Sequence, residues 1–189
     1  MRTVGGVFCS DQVVPEPLTG SILTAEEISS IRRVALTALR GVPLRSPVTT
    51  GEPPFSRFLD IYQDGDVWHP ALYAILVPIL SRVSALGLLA ARMPEHMPMV
   101  PSRIFVNQYP EGHQSGMRVH RDSMVVYCAV TVVVTTDTAD GSFFVASATG
   151  VKRLVPLAAG WAVTVHPDTY HGVEDAVRSG DRISFTFFY

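Results

Sequence analysis

The sequence predicts a mainly β chain with supporting helices, an α+β architecture in one domain. Three observations carry this. From Ser102 onward, short β-branched and aromatic runs alternate with glycine-containing turns, the pattern of a β-sandwich or barrel. Before that point, the clearest signals are two helical stretches. Strands and helices do not alternate in βαβ order, which argues against a Rossmann-type sheet.

Bulk properties narrow the class. The chain has 189 residues, enough for one domain with a substantial core. It is 47% hydrophobic and 17% charged, which excludes a disordered chain. A formal net charge of −2 provides no global basic field and disfavours nucleic acid as a partner. Cys9 and Cys128 are too few for a disulfide framework and suit a reducing cytoplasm. The N-terminus is too weak for a signal peptide. The most apolar stretch, residues 67–91, is broken by His69, Pro70, Pro78 and Arg82, so it reads as a buried helical region and not a membrane span.

In chain order, residues 1–22 show no periodicity and could supply one edge strand. Thr24-Ala25-Glu26-Glu27 is a capping box, with Thr24 as N-cap. Ile28, Ile31, Ala35 and Leu39 follow at helical spacing, and Gly41 stands where a helix C′ residue belongs. Residues 42–55 carry four prolines and form a loop. Phe58 to Tyr62 could be a strand, ending in a turn over Gln63-Asp64-Gly65-Asp66. The apolar helical region comes next, with Pro70 tolerated in its first turn and Pro78 expected to kink or divide it. Residues 93–101 close the N-terminal part. Expected strands then cover residues 103–109, 117–122, 124–135, 142–147, 152–155, 161–166 and 182–189. This divides the domain into a helical support region, 1–101, and a β core, 102–189. Trp68, Trp161 and the aromatic C-terminal strand are expected in the core.

The stretch Arg118-Val119-His120-Arg121-Asp122 carries the chemistry. Strand residues two apart share a face about 7 Å apart. An imidazole and a carboxylate can therefore bind one metal ion from one side. Of the other histidines, His171 in His171-Gly172-Val173 and His166 are both candidate third ligands. Two histidines and one carboxylate form the facial triad of mononuclear non-haem iron(II), which leaves coordination positions open. Arg182 offers a fork for a carboxylate, and Ser184 shares its face.

Together, His120-x-Asp122, His171-Gly172-Val173 and Arg182-x-Ser184 resemble the 2-oxoglutarate- and iron(II)-dependent dioxygenase superfamily. Leu157-Ala158-Ala159-Gly160 is similar to the glycine-led segment before the distal histidine. Asn107-Gln108-Tyr109-Pro110 resembles the Asn-x-Tyr of the AlkB branch, and the Arg-x-Ser ending is closer to prolyl-hydroxylase-like members. The match spans roughly residues 102–189. The resemblance implies a double-stranded β-helix (jelly roll, cupin-like) core with helices packed on one face. It implies iron(II) held by His120, Asp122 and His171. It also implies 2-oxoglutarate held by Arg182 and Ser184, with Tyr109 and Asn107 assisting, and oxygen as oxidant. The implied reaction hydroxylates an unactivated C–H bond and releases succinate and CO2.

Arg118 shares a strand face with the ligands by parity, and His113 lies in a glycine-bracketed loop, so both are candidate substrate contacts. Arg121 faces away by the same parity. The substrate expected first is a small molecule such as an amino acid or a natural-product intermediate. A modified nucleobase, a peptide, and a non-catalytic cupin-like binding module are the alternatives. Oligomeric state leaves no mark in the sequence.

Overall fold

A computed structural model describes residues 17–45, 56–85, 100–122, 129–135, 143–177 and 179–189. Cys9, His96 and Cys128 lie outside the described residues, as does most of the expected 42–55 loop.

The chain opens on β1 (Leu18–Ser21), which pairs with β9 (Trp161–Val165) as an edge strand. Helix α1 (Ala25–Leu39) follows, because its capping box forms as the sequence predicts. The Thr24 amide donates to the Glu27 carboxylate at 2.9 Å, and the Glu27 amide donates to the Thr24 hydroxyl at 3.3 Å. Past the last turn, Gly41 takes the left-handed conformation (φ 85°) that ends helices. Glu27 also pairs with Arg82 of α2 (Pro70–Ala85), so one carboxylate both caps α1 and ties the helices together. Arg82 in turn donates to the Ile22 carbonyl at 2.9 Å.

Pro78 does not divide α2, which runs unbroken from Pro70 to Ala85 and so corrects the expectation of a division there. Leu72, Leu76, Ile79 and Val83 are buried, while Pro78 is exposed. Its ring and its missing hydrogen bond therefore face water, where the freed carbonyl is hydrated.

Strand β2 (Arg57–Gln63) reaches β3 (Asp66–Val67) through a tight turn. Asp64 and Gly65 both have positive φ (50° and 103°), as a type I′ hairpin demands. Trp68, expected in the core, is 58% exposed beyond that hairpin, another correction. The N-terminal part thus supplies strands as well as helical support.

The remaining strands are β4 (Arg103–Tyr109), β5 (Gln114–His120), β6 (Ala129–Thr135), β7 (Phe143–Ala146), β8 (Lys152–Leu154), β10 (Tyr170–Val177) and β11 (Arg182–Phe188). A seven-stranded sheet runs β1-β9-β6-β11-β4-β2-β3, and a four-stranded sheet runs β5-β10-β7-β8. Alternation sorts the large sheet. Ile104, Val106, Val130, Val132, Ile183, Phe185 and Phe187 face the helices and join Ile31, Leu72 and Leu76 in the main core. Each such buried side chain contributes about 1.5–3 kcal/mol. The opposite face meets the small sheet through Phe105, Val133, Phe143, Val145 and Val163, with Trp161 packed against them. Among the described residues, no helix is long and apolar enough to cross a membrane.

Candidate active site

The inner faces of the two sheets enclose a cavity of about 130 Å³. One side presents Asn107 and Tyr109 from β4 and Arg182, Ser184 and Thr186 from β11. The other presents Met117 and His120 from β5, Asp122 just beyond it, and His171 and Val173 from β10.

The small sheet positions the histidines through an irregular ladder. His171 pairs with His120, but Val173 pairs with Met117. Two steps along β10 thus match three along β5, which is a β-bulge in β5. The extra residue reverses parity, so Met117 and His120 both point inward. Arg118 and Val119 fall in the bulge and are exposed. This corrects the expectation that Arg118 shares the ligands' face, because the parity rule holds only in a regular ladder. Gly172 stands at the bulge for a steric reason. A Cβ there would lie 2.5 Å from the Met117 carbonyl oxygen and 2.6 Å from the Phe144 ring. At the second register shift, a Cβ on Gly116 would lie 2.6 Å from the Asp175 backbone.

His120, Asp122 and His171 come together, with one ligand atom from each lying within 4.8 Å of the others. The His120 Nε2 is 3.5 Å from Asp122 Oδ1, and the His171 Nε2 is 3.3 Å from Asp122 Oδ2. Both rings are oriented alike. His120 Nδ1–H donates to the Arg118 carbonyl, and His171 Nδ1–H to the Thr169 carbonyl, each at 2.9 Å. A carbonyl can only accept, so each Nδ1 carries a proton and each ring turns its Nε2 toward Asp122. Two lone pairs facing a carboxylate repel it unless a proton or a cation intervenes. Two imidazole nitrogens and one carboxylate, all on one side of an open cavity, fit a facial iron(II) triad.

Without a cation, the groups perturb one another. Burial pushes the Asp122 carboxyl up, but hydrogen bonds and charge from His120 and His171 outweigh it and hold it well below the usual carboxylate range. Burial pushes the His120 imidazole down, but the Asp122 hydrogen bond and charge leave it raised overall.

Arg182 is 2% exposed at the start of β11. Its guanidinium donates to the Ser184 hydroxyl at 3.2 Å and lies 5.5 Å from the Tyr109 ring centre. The register explains the grouping, since Arg182 pairs with Tyr109 and Ser184 with Asn107. On the reverse face, Gln108 accepts from Arg57 at 3.1 Å and donates to Asp181 at 3.0 Å, bracing the start of β11 beside Arg182.

Among the sequence-predicted residues, the cavity wall contains His120, Asp122, His171, Arg182, Ser184, Tyr109 and Asn107. It does not contain Arg118 or His113. The exposed His113 bonds to the Glu111 carbonyl at 3.0 Å instead. His166 accepts from the Asp168 amide at 3.2 Å, outside the cluster. Arg121 faces away as expected, over the Tyr170 ring at 4.9 Å. Residues the sequence reading missed are Phe58, Phe105, Met117, Thr131, Phe143, Val173 and Thr186. Strand alternation could have found those on β4, β6 and β11.

No protein-family model and no curated protein matches the chain by sequence. Solved structures do match by shape. A 2OG-Fe(II) oxygenase family oxidoreductase from Burkholderia pseudomallei aligns with TM-score 0.63 and 16% identity, covering 91% of this chain and 82% of that one. The non-haem α-ketoglutarate-dependent carbocyclase SnoK from nogalamycin biosynthesis aligns with TM-score 0.66 and 13% identity, covering 92% and 78%. A Trichoplax adhaerens prolyl hydroxylase in complex with a hypoxia-inducible-factor peptide fragment aligns with TM-score 0.63 and 14% identity, covering 92% and 82%. At such identities the likeness is one of fold. The chain has the double-stranded β-helix architecture of these oxygenases, as the resemblance implied.

Proposed function

We propose that the chain is an iron(II)- and 2-oxoglutarate-dependent oxygenase that hydroxylates an unactivated C–H bond of a small molecule. The observation that carries this reading is the joint placement of the His120–Asp122–His171 cluster and the buried Arg182–Ser184 pair in one cavity. Either half alone would be compatible with a simple binding module.

His120, Asp122 and His171 would hold iron(II) through two Nε2 atoms and a carboxylate oxygen. Arg182 would hold the distal carboxylate of 2-oxoglutarate, and Ser184 would add a hydroxyl donor. Tyr109 flanks the guanidinium, and Asn107 offers an amide beside Ser184. Iron(II), 2-oxoglutarate and oxygen together supply a strong oxidant, placing one oxygen atom in succinate and one in the product, with loss of CO2. The chain's own part is to orient both ligands and to surround the reacting carbon with apolar walls that exclude water.

Support for a small-molecule substrate comes from the modest size of the cavity and from likeness to a carbocyclase of a biosynthetic pathway. A peptide is the second reading, favoured by likeness to the prolyl hydroxylase. The test is succinate release from 2-oxoglutarate, screened across small molecules and peptides with added iron(II). Release stimulated only by peptides would replace the first reading with the second. A protein that binds neither iron(II) nor 2-oxoglutarate would reject both.

A further inference from the structure

The strand directions give the cavity two ends. Residues 110–113 join the Tyr109 end of β4 to the Gln114 end of β5, and Arg182 pairs with Tyr109. His120 and His171 stand at the other end of the β5–β10 ladder from Gln114 and Val177. Along β4 and β11, Phe105 and Thr186 pair four positions beyond Tyr109 and Arg182, toward the metal ligands. The carboxylate fork and the metal cluster thus lie at opposite ends, with Phe105 and Thr186 on the metal side.

At that side the lining changes character. Phe58 and Phe105 pack as a tilted pair with ring centres 4.8 Å apart. Phe58 comes from β2, where it pairs with Asn107, one pleat nearer Arg182 than Phe105, and remains half-buried with a face toward the cavity. The pair is fixed from behind. The Arg103 guanidinium, itself not part of the lining, lies 5.3 Å and 5.4 Å from the two ring centres. Its Nε donates to Asp60 at 2.7 Å, anchoring it to the strand that carries Phe58. Met117, Phe143 and Val173 extend the apolar surface.

Two hydroxyls complete this end, with Thr131 Oγ1 lying 3.2 Å from Thr186 Oγ1. One donates to the other, so the second hydroxyl hydrogen is available to a bound oxygen acceptor. Among the described lining residues, the charged groups are Arg182 and the metal cluster, which the oxygenase reading already commits. A free amino acid would bring an ammonium and a carboxylate against phenyl rings without partners, which disfavours it.

We propose that Phe58 and Phe105 form the substrate wall, and that the group they seat is a planar, uncharged ring bearing an oxygen acceptor for the Thr131–Thr186 pair. This rests on the oxygenase reading and narrows its substrate class away from free amino acids. Phe58 is the specificity-determining residue of the wall, supplied by the region expected only to support the core.

Calorimetric titration of coumarin, L-phenylalanine and benzoate into the protein, with and without iron(II) and 2-oxoglutarate, tests it. Coumarin is planar, neutral and carries a carbonyl. It should bind more tightly than either charged probe. Phe58→Ala and Phe58→Leu should each weaken coumarin about tenfold, the scale of one aromatic contact, while 2-oxoglutarate binds as before. Tighter binding of L-phenylalanine or benzoate, or coumarin affinity indifferent to both Phe58 variants, overturns the proposal. Failure of the oxygenase reading shows separately, as absent iron(II) and 2-oxoglutarate binding in the unaltered chain. Coumarin binding that still depends on Phe58 would then support the wall alone.

Discussion

His120 and His171 stand directly opposite each other in the β5–β10 ladder, ring centres 4.5 Å apart, each held by the carbonyl two residues before it. Because these braces are main-chain oxygens, the side chain of Arg118 has no part in them. Arg118→Ala should therefore leave iron(II) affinity within about twofold, whereas His171→Ala should lower it more than about a hundredfold, beyond the range seen for indirect ligand supports. Equilibrium titration with iron(II) under anaerobic conditions separates the two. Equal losses would mean that the ring orientation depends on the arginine side chain.

Arg182 is planar, buried and aligned with Ser184. Lysine keeps the charge but not the fork, so Arg182→Lys should weaken 2-oxoglutarate by about tenfold, and Arg182→Ala by more. Neither should change iron(II) affinity, since the triad lies on the other sheet. Titration of 2-oxoglutarate against each iron-loaded variant measures this. Unchanged affinity in both would remove Arg182 from the site.

Gly172 lies where the β5 backbone passes close to β10. The Cβ of Gly172→Ala would collide with the Met117 carbonyl, which is backbone and cannot swing aside. The expected cost is about 1–3 kcal/mol, as for overpacking elsewhere. Iron(II) affinity should fall too, because His171 is the adjacent residue. Denaturant unfolding and metal titration report the two effects. A variant as stable as the parent would mean that the ladder can spread freely.

Glu27 provides a pH signature far from the site. Hydrogen bonds from Arg82 and then Thr24 hold its carboxyl down at about 2, from an ordinary value of 4.5. A depressed carboxyl stabilises the fold above its unfolded value and loses that contribution as pH falls through the folded one, here between about 4.5 and 2. The Glu27 and Arg82 side chains are 33% and 37% exposed, so water screens the pair. Glu27→Ala should cost about 1 kcal/mol at neutral pH, mostly the lost cap. That difference should vanish near pH 2. A difference that persists undiminished in acid would contradict this origin.

The candidate cluster was legible in two steps, His120 and Asp122 from their strand spacing and His171 through the resemblance. Arg182 and Ser184 were legible from strand parity, and Asn107 and Tyr109 through the resemblance. What escaped depends on distant pairing. The bulge that turns Arg118 outward exists only because β10 pairs with β5 out of step. Strand β10 itself was not foreseen, since Tyr-His-Gly-Val-Glu-Asp-Ala-Val has no clean alternation across its two register shifts. Phe58 sat in a recognisable strand, but its place in the cavity comes from pairing β2 with β4, about fifty residues on. Trp68 was expected inside, yet it follows the β2–β3 hairpin and stands exposed.

On the proposed function, one cavity holds iron(II) on His120, Asp122 and His171 and 2-oxoglutarate on Arg182. Anaerobic addition of iron(II) and then 2-oxoglutarate, followed by visible absorption, tests it most directly. A charge-transfer band should grow to one equivalent of each in the parent chain, should not form in Asp122→Ala, and should need far more 2-oxoglutarate in Arg182→Ala. No band in the parent chain, or an unchanged band in Asp122→Ala, would contradict it.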